Sequence, residues 1–342
     1  MSLLVNIEKR LGDFHLRVDL RAEDGVLALL GASGCGKTMT LKCIAGIERP
    51  DRGRIEVDGR VLFDSERHID LSPQRRRAGL LFQNYALFPN MTVYENIRCG
   101  VRRDRSAGEE AVRRIMERFN LSALQKHYPH QLSGGQQQRT ALARVLISAP
   151  DILLLDEPFS ALDSHLRFQL EQETRAILRE FGKTVVLVSH DRDEVYRLSD
   201  QVAVMDRGRV EVFGPREEVF TRPVTRSAAL ITGCKNVSPL QKLDEHRLLA
   251  ADWGLTLHTS QALGDARFVG IRGQDILPGD GENGFTLAVA DVMENPFSCT
   301  VMLRAPSGAA SLAWEVDKGL WKQVQGPAVK IHLPPEALLV LQ

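Results

Sequence analysis

The sequence has few cysteines, no excess of one charge and no long apolar run. Its five cysteines lie far apart and form no Cys-x-x-Cys pair, which indicates a reducing compartment and argues against a zinc site. Lysine plus arginine and aspartate plus glutamate number 44 each, so the strong positive excess typical of nucleic-acid-binding proteins is missing. The longest apolar runs are only about half a dozen residues, well short of the roughly 20 that a membrane-spanning helix needs. We therefore expect a soluble protein that binds no nucleic acid.

The first two thirds of the chain have the pattern of an α/β fold. Residues 1–25 alternate apolar and polar side chains, which predicts an antiparallel hairpin. Residues 152–155, 185–189 and 202–205 are almost wholly apolar, as strands covered on both faces are, and predict a parallel sheet with helices outside. Between these, residues 84–148 have helical periodicity and predict a helical insertion.

The last third has a different pattern. Prolines and glycines punctuate residues 221–240 and predict a boundary between an α/β domain, residues 1–230, and a second domain, residues 231–342. Short alternating runs separated by turns then predict a small β-barrel or sandwich. The predicted strands of this domain are residues 247–250, 255–258, 268–271, 285–289, 299–303, 312–316 and 329–333.

Residues 31–38 have the spacing G-x-x-x-x-G-K-T between an apolar run and a helical pattern. In this strand–turn–helix context, glycines let the backbone N–H groups point inward, and the helix N-terminus attracts a polyphosphate. Lys37 is expected to neutralise the β- and γ-phosphates, and Thr38 to offer its hydroxyl to Mg²⁺. The residues predicted to bind the nucleotide are Gly31, Ala32, Ser33, Gly34, Cys35, Gly36, Lys37, Thr38 and Met39.

Two further stretches carry residues suited to nucleotide chemistry. The apolar run from Ile152 ends in Asp156, expected in the Mg²⁺ shell, and Glu157, expected to polarise a water in line with the γ-phosphate. The second stretch, Leu-Ser-Gly-Gly-Gln, precedes a helical run over residues 141–147 and predicts a second anion site at a helix N-terminus. That site comprises Ser133, Gly134, Gly135 and Gln136.

Taken in order, these stretches resemble the ATP-binding cassette (ABC) ATPases, a family of P-loop NTPases, over residues 1 to about 230. The resemblance rests on the phosphate loop, Gln83 in Leu-Phe-Gln-Asn, the Leu-Ser-Gly-Gly-Gln stretch, Ile-Leu-Leu-Leu-Asp-Glu, Ser-Ala-Leu-Asp ending at Asp163, and His190. It implies a head-to-tail homodimer that hydrolyses ATP. Each ATP is clamped between the phosphate loop of one chain and residues 133–136 of the other.

The resemblance also implies roles for single residues. Gln83 is expected to join Mg²⁺ and the attacking water to the helical insertion and so to the membrane partner. Asp163 is expected to communicate across the dimer, and His190 to contact the γ-phosphate and steady Glu157. One position departs from the family pattern. Leu11 stands where these cassettes usually stack an aromatic ring on adenine, and Phe14 or Arg10 are the candidate substitutes, although Phe14 fits a core position.

The order of a cassette followed by a small β domain resembles importer subunits with a C-terminal transport-associated, oligonucleotide-fold (OB-like) barrel. Residues 232–238, 270–276 and 295–298 are similar to ATPase subunits of molybdate and sulfate importers. This resemblance implies a complex at the cytoplasmic face of the cell membrane. It would contain two copies of this chain, two transmembrane permease subunits and an extracytoplasmic substrate-binding protein.

Several alternatives remain open from the sequence. The cargo is expected to be an oxyanion, with sugar, polyamine or ferric iron as alternatives. A soluble anion-sensing cassette and a P-loop kinase are the non-transport alternatives. The second domain, residues 231–342 (the tail), either braces the dimer or binds the transported oxyanion. The candidates for oxyanion binding, chosen by composition, are Lys235, Asn236 and Ser238.

Overall fold

The protein has two compact units, Met1–Arg216 and Glu217–Gln342, and each is described by itself. The computed structural model describes residues 2–101, 105–160 and 164–342. The strands of the first unit are β1 (Ser2–Leu11), β2 (Phe14–Glu23), β3 (Val26–Leu30), β4 (Arg52–Val57), β5 (Arg60–Asp64), β6 (Ile69–Asp70), β7 (Ala78–Leu81), β8 (Ile152–Asp156), β9 (Val185–Ser189), β10 (Gln201–Asp206) and β11 (Arg209–Pro215). They form one mixed sheet of eleven strands in the order β6-β5-β4-β1-β2-β11-β10-β3-β9-β8-β7.

The parallel centre of this sheet positions the candidate site. Strands β10, β3, β9, β8 and β7 are neighbours and run parallel. Every residue of β3, β8 and β9 is buried, because these strands are covered on both faces. The carboxyl ends of parallel strands meet at one edge, so the chain that follows β3, β8 and β9 converges there. The predicted parallel sheet is confirmed.

The first two strands form the predicted hairpin. β1 pairs antiparallel with β2 along their whole length, from Ser2 opposite Glu23 to Leu11 opposite Phe14. Alternate side chains of β2 are buried, which is the period-2 pattern that the sequence shows. The other edge of β1 pairs with β4, so the hairpin belongs to an antiparallel part of the same sheet.

Helices flank this sheet. They are α1 (Lys37–Ala45), α2 (Pro73–Arg76), α3 (Val93–Arg98), α4 (Arg105–Arg118), α5 (Gly134–Leu146), α6 (Ser164–Phe181) and α7 (Arg192–Leu198), with 3-10 turns at Ser122–Leu124 and Pro129–Gln131. The helices expected between residues 84 and 148 are present as α3, α4 and α5. Val112, Met116 and Phe119 of this region are buried in one apolar cluster, as their helical spacing predicts. Within the described residues, no helix combines the length and apolar character needed to cross a bilayer.

The second unit is rich in β-structure, as predicted. Its elements are α8 (Arg216–Thr221), α9 (Arg226–Ile231), β12 (Asn236–Lys242), β13 (Arg247–Ala250), β14 (Leu255–His258), β15 (Phe268–Ile271), β16 (Leu277–Pro278), β17 (Gly284–Glu294), β18 (Ser298–Arg304), β19 (Leu312–Asp317), α10 (Lys318–Val324), β20 (Ala328–His332) and β21 (Leu339–Leu341). Two five-stranded sheets result, in the orders β14-β13-β12-β15-β21 and β16-β20-β17-β18-β19. One apolar cluster, which includes Trp314 and Trp321, is shared by both sheets.

The segment that the sequence marks as a boundary is structured. The compact units meet at residues 216 and 217, whereas the proline and glycine pattern places the change at residues 230 and 231. Helices α8 and α9 lie between the two positions and belong largely to the second unit. Arg272 ties both to that unit, since its guanidinium donates to the carbonyl oxygens of Phe220 and Thr232.

Candidate nucleotide site

The loop between β3 and α1 wraps around the Lys37 side chain. Lys37 begins α1, is 4% exposed, and donates from Nζ to the carbonyl oxygens of Gly31 at 2.7 Å and Ala32 at 2.9 Å. Gly36 has a φ of 109°, and a Cβ there would lie 2.6 Å from Leu16 Cδ1. A side chain at Gly36 is therefore excluded both by the backbone conformation and by packing. The loop presents a buried cation at a helix start, which is the chemistry of a phosphate site.

A second contact joins this loop to the end of β8. Thr38 Oγ1 donates to Asp156 Oδ1 at 2.8 Å. Asp156 is 7% exposed, and burial raises the pKa of its carboxyl group above the usual value. A hydroxyl and a carboxylate that converge in this way are oxygen donors of the kind that Mg²⁺ prefers. Gln83, the third residue expected at Mg²⁺, donates from its amide to the neighbouring Glu157. By donor chemistry the side chains of Thr38, Asp156 and Gln83 fit a magnesium ion.

Glu157 is held from two sides. Its Oε1 lies 3.3 Å from His190 Nδ1, and its Oε2 accepts from Gln83 Nε2 at 3.4 Å. The Glu157 backbone has a φ of 45°, a left-handed conformation that costs energy for a residue with a side chain. Its N–H donates to the Val188 carbonyl oxygen at 3.0 Å, which fixes this turn against β9. The carboxylate is thus oriented by residues from two separate parts of the chain, Gln83 and His190.

Comparison with known proteins identifies the family. The profile of the ABC transporter family matches residues 16–160. The spermidine/putrescine import ATP-binding protein PotA of Rubrobacter xylanophilus is 38% identical over 326 residues, which are 91% of this chain and 85% of that protein. The chain belongs to the ATP-binding proteins of ABC transporters. It is therefore an ABC ATPase, and the nucleotide of this family is ATP.

Other relatives agree with this family assignment. The sulfate/thiosulfate import ATP-binding protein CysA 2 of Chromobacterium violaceum is 40% identical over 255 residues, covering 73% of this chain and 68% of that protein. The cassette MJ0796, solved as a dimer in a post-hydrolysis state with ADP and Pi, aligns with a TM-score of 0.53 and 29% identity over 63% of this chain and 99% of that one. Another dimeric structure of MJ0796 gives a TM-score of 0.54 and 31% identity over the same shares. The ABC cassette fold is thereby confirmed.

The Leu-Ser-Gly-Gly-Gln stretch of this ABC protein forms a helix cap. Ser133 is the N-cap of α5; its Oγ accepts from Gln136 N at 3.3 Å, and Gln136 Oε1 accepts from Ser133 N at 2.9 Å. The helix begins at Gly134, so Ser133 lies at a helix N-terminus, as predicted. The spacing Ser-x-x-Gln is itself a helix-start pattern. In the described part of the chain, no hydrogen bond joins this cap to the phosphate loop. Asp163 lies outside the described residues.

The loop after Gln83 is anchored by a residue that sequence reasoning missed. Tyr85 and Ala86 both have left-handed backbones, with φ of 59° and 45°. Arg144 of α5 donates to their carbonyl oxygens at 2.9 and 2.8 Å, and its guanidinium stacks on Phe88. The Gln83 loop is thus tied to the helix that carries the Leu-Ser-Gly-Gly-Gln cap. The sequence contained no local signal for this contact, because the residues lie about 60 positions apart.

Leu11 and Phe14, two of the residues considered for the contact with adenine, differ in their surroundings. Leu11 is 40% exposed at the end of β1. Phe14 is half-buried and packs against the sheet core, and its Cζ lies 3.3 Å from the position of a Cβ on Gly36. The Phe14 ring therefore lies both in the core, as expected, and beside the phosphate loop.

The three tail candidates for an anion site have other partners. Lys235 pairs with Glu315 at 2.8 Å. Asn236 is buried, donates to two backbone carbonyls and accepts one N–H. Ser238 donates to Pro239 O and accepts from Asp252 N. The structure does not bring these side chains together as free donors, so composition alone was a poor guide here.

Proposed function

We propose that this ABC protein is the ATP-hydrolysing subunit of an importer whose cargo is a tetrahedral oxyanion such as molybdate or sulfate. Hydrolysis is supported by one observation above all. The Glu157 carboxylate is held between His190 and Gln83, and Glu157 directly follows Asp156, which contacts Thr38. A general base next to a phosphate site is what hydrolysis of a nucleoside triphosphate needs.

The residues divide the work as follows. Lys37 neutralises the β- and γ-phosphates, and the loop of residues 31–39 donates backbone N–H groups to them. Glu157 accepts the proton of the attacking water. His190 contacts the γ-phosphate and holds Glu157 in position. Gln83 orients the water and couples it to the loop that follows Gln83 in the chain.

Thr38, Gln83 and Asp156 are the residues that would hold Mg²⁺. Their oxygen donors fit this ion better than zinc, which favours cysteine and histidine. Among the described residues, no group of three or more histidine, cysteine or acidic side chains is arranged to hold a metal ion. When bound, the ion supplies positive charge that offsets the charge of the β- and γ-phosphates.

A second copy of the chain completes the ATP site in this proposal. Ser133, Gly134, Gly135 and Gln136 of the second copy would contact the γ-phosphate from the other side, and Asp163 would communicate between the two sites. The support is the exposed helix cap at Ser133 and the dimeric state of both MJ0796 structures. The second domain, residues 231–342, would brace the dimer.

Import is supported by the relatives, which are named as import ATP-binding proteins. The proposed complex contains two copies of this chain, two transmembrane permease subunits and an extracytoplasmic substrate-binding protein. The chain would lie at the cytoplasmic face of the membrane as a peripheral subunit. An oxyanion cargo is supported by the CysA relative and by the tail stretches similar to molybdate and sulfate importers. The PotA relatives favour a polyamine as the second candidate.

Replacing the base tests the hydrolysis proposal. Glu157→Gln is expected to bind ATP but to lower its hydrolysis by about 100-fold or more, because the amide accepts no proton from water. The same variant should accumulate as an ATP-bound dimer in size-exclusion chromatography. The matched control is Glu180→Gln. Glu180 is an exposed glutamate on α6, so this variant should hydrolyse ATP normally. Unchanged turnover of Glu157→Gln would remove Glu157 from this role.

Uptake measurements test the cargo. A strain that lacks this gene is supplied with radiolabelled molybdate, sulfate or spermidine and complemented with the natural chain or with Glu157→Gln. The proposal expects the natural chain alone to restore oxyanion uptake. Restored spermidine uptake would instead support the polyamine candidate. Restoration of no cargo would favour a cassette that works outside transport.

A further inference from the structure

The loop of residues 83–88 contacts the turn at Glu157 at two points. Gln83 Nε2 donates to Glu157 Oε2 at 3.4 Å. Two residues further along the loop, Tyr85 Oη donates to the carbonyl oxygen of Pro158, also at 3.4 Å. Pro158 directly follows Glu157 in the chain. Both bonds are long, so each is weak by itself and is lost when the loop moves by a small distance. The two contacts therefore depend on a fixed shape of the loop.

That shape is unfavourable for the loop by itself. Tyr85 and Ala86 follow one another with φ of 59° and 45°, in the left-handed region that residues with a side chain rarely adopt. Such a conformation costs free energy and persists only where the surrounding structure holds it. The Tyr85 residue is buried, with 4% of its surface exposed, so its ring anchors one side of the turn. The backbone carbonyls need a holder of their own.

Arg144 of α5 holds both carbonyls. Its Nη1 donates to the Ala86 oxygen at 2.8 Å, and its Nη2 donates to the Tyr85 oxygen at 2.9 Å. One planar guanidinium thus bonds two consecutive strained residues at once, which the fork of arginine donors allows and the single ammonium of lysine does not reproduce. The guanidinium also lies over the Phe88 ring, 5.4 Å from its centroid.

The far end of the loop is fixed independently of Arg144. Asn96 of α3 is fully buried, accepts from Phe88 N at 2.9 Å and donates from Nδ2 to Phe88 O at 3.1 Å. Loss of the Arg144 donors would therefore release the turn of residues 85–86 and leave the end of the loop in place. The effect of Arg144 is local to the part of the loop that contacts the Glu157 turn.

We propose that Arg144 is a positioning residue for ATP hydrolysis, because it holds residues 85–86 in the conformation that keeps their loop against Glu157. This inference rests on the proposed role of Glu157 as the base. Arg144 touches no reacting atom in this account. Without its donors, the turn relaxes to more favourable backbone angles and the two 3.4 Å contacts are lost. The carboxylate is then aligned with the attacking water for a smaller fraction of the time.

The test measures steady-state ATP hydrolysis by the full chain. Arg144→Met keeps much of the apolar stem without a donor, and we expect it to lower kcat on the order of tenfold with KM for ATP within about twofold, since the phosphate loop is unchanged. Arg144→Lys keeps the charge but not the fork of donors, so its kcat should lie between the two. The matched control is Arg139→Met. Arg139 lies on the same helix and pairs with Glu173 of α6 at 2.9 Å, so kcat should stay within about twofold.

Two further measurements separate positioning from general destabilisation. Tyr85→Phe removes the hydroxyl that donates to Pro158. It should lower kcat by itself but add little in the Arg144→Met background, since both changes act through the same turn. Hydrogen exchange does not depend on turnover. The amides of residues 84–88 should exchange faster in Arg144→Met, whereas those of the phosphate loop and β8 should not.

Full turnover of Arg144→Met overturns the proposal, as does an equal loss of kcat in Arg139→Met. A raised KM with unchanged kcat also overturns it, because Arg144 would then act on ATP binding. If Arg144→Met does not fold, kcat and hydrogen exchange of Arg144→Lys decide. Normal hydrolysis by Glu157→Gln would instead refute the proposed function, so the two failures are distinguishable.

Discussion

Asn236 is a side chain whose role follows from its partners rather than from its type. It is buried in β12, donates from Nδ2 to the carbonyl oxygens of Ile271 and Ala313, and accepts from Ala313 N. These three bonds join β12 to β15 and β19, which belong to different sheets. An amide that was a candidate anion ligand from the sequence is thus a link between the two sheets of the second unit.

Asn236→Ala is expected to lower the free energy of unfolding of the second unit by about 3 kcal/mol, because it leaves three buried backbone groups without partners. The neighbouring Lys235→Ala is the matched control. Lys235 pairs with Glu315 but is 56% exposed, so its loss should change stability by less than about 1 kcal/mol. Urea unfolding followed by circular dichroism measures both. Equal effects of the two variants would mean that the buried bonds do not stabilise this unit.

At the scale of elements, Arg76 joins α1 to the chain after β6. Its side chain is fully buried; Nη1 donates to Cys43 O at 2.6 Å and Ile44 O at 3.1 Å in the last turn of α1, and Nε donates to Leu71 O at 2.7 Å. A cation at this end of a helix also interacts favourably with the helix dipole. Because α1 begins with Lys37, the contact stabilises the helix that carries the phosphate site.

Arg76→Met is expected to destabilise the first unit by about 3 kcal/mol, since methionine keeps the apolar stem but leaves buried carbonyls of α1 without a donor. Arg76 also pairs with Asp70, at 2.9 Å. Arg49→Met is the control, because Arg49 pairs with Asp70 from an exposed position, and its loss should cost less than about 1 kcal/mol. Thermal unfolding of both variants provides the measurement. The interpretation fails if Arg76→Met and Arg49→Met unfold at the same midpoint temperature.

Local sequence patterns predicted the elements that have strong periodicity and missed those fixed by distant partners. The strands at residues 247–250, 255–258 and 268–271 were predicted with their observed bounds, because alternation and flanking turns are local signals. Strand β12 was missed because Pro239 indicates a turn, yet Pro239 pairs with Phe268 in the sheet. The three-residue strand β21 exists through its pairing with β15, which no window of its own sequence reveals.

At the scale of the whole molecule, the sheet brings together residues that lie far apart in the chain. Thr38 meets Asp156, and Glu157 meets both Gln83 and His190. The sequence predicted these residues from motif order and strand ends. It could not predict the hydrogen bonds that hold the loops of these residues, such as those from Arg144 to the loop after Gln83. These bonds depend on packing between helices and loops. In the proposed dimer, residues 133–136 would contribute to the ATP site of the second copy.

A head-to-tail dimer predicts that two inactive variants restore each other's hydrolysis. Lys37→Ala removes the cation of the phosphate loop, and Ser133→Arg puts a bulky cation at the α5 N-cap, where the helix dipole disfavours it. In a mixed dimer, one site combines the intact loop of the second variant with the intact Ser133 of the first, so turnover returns at that site. ATP hydrolysis is measured for each variant alone and for the mixture. Placing both changes in one chain and mixing it with Lys37→Ala is the control, since no complete site can then form. If the first mixture is no more active than its parts, each ATP site must be complete within one chain.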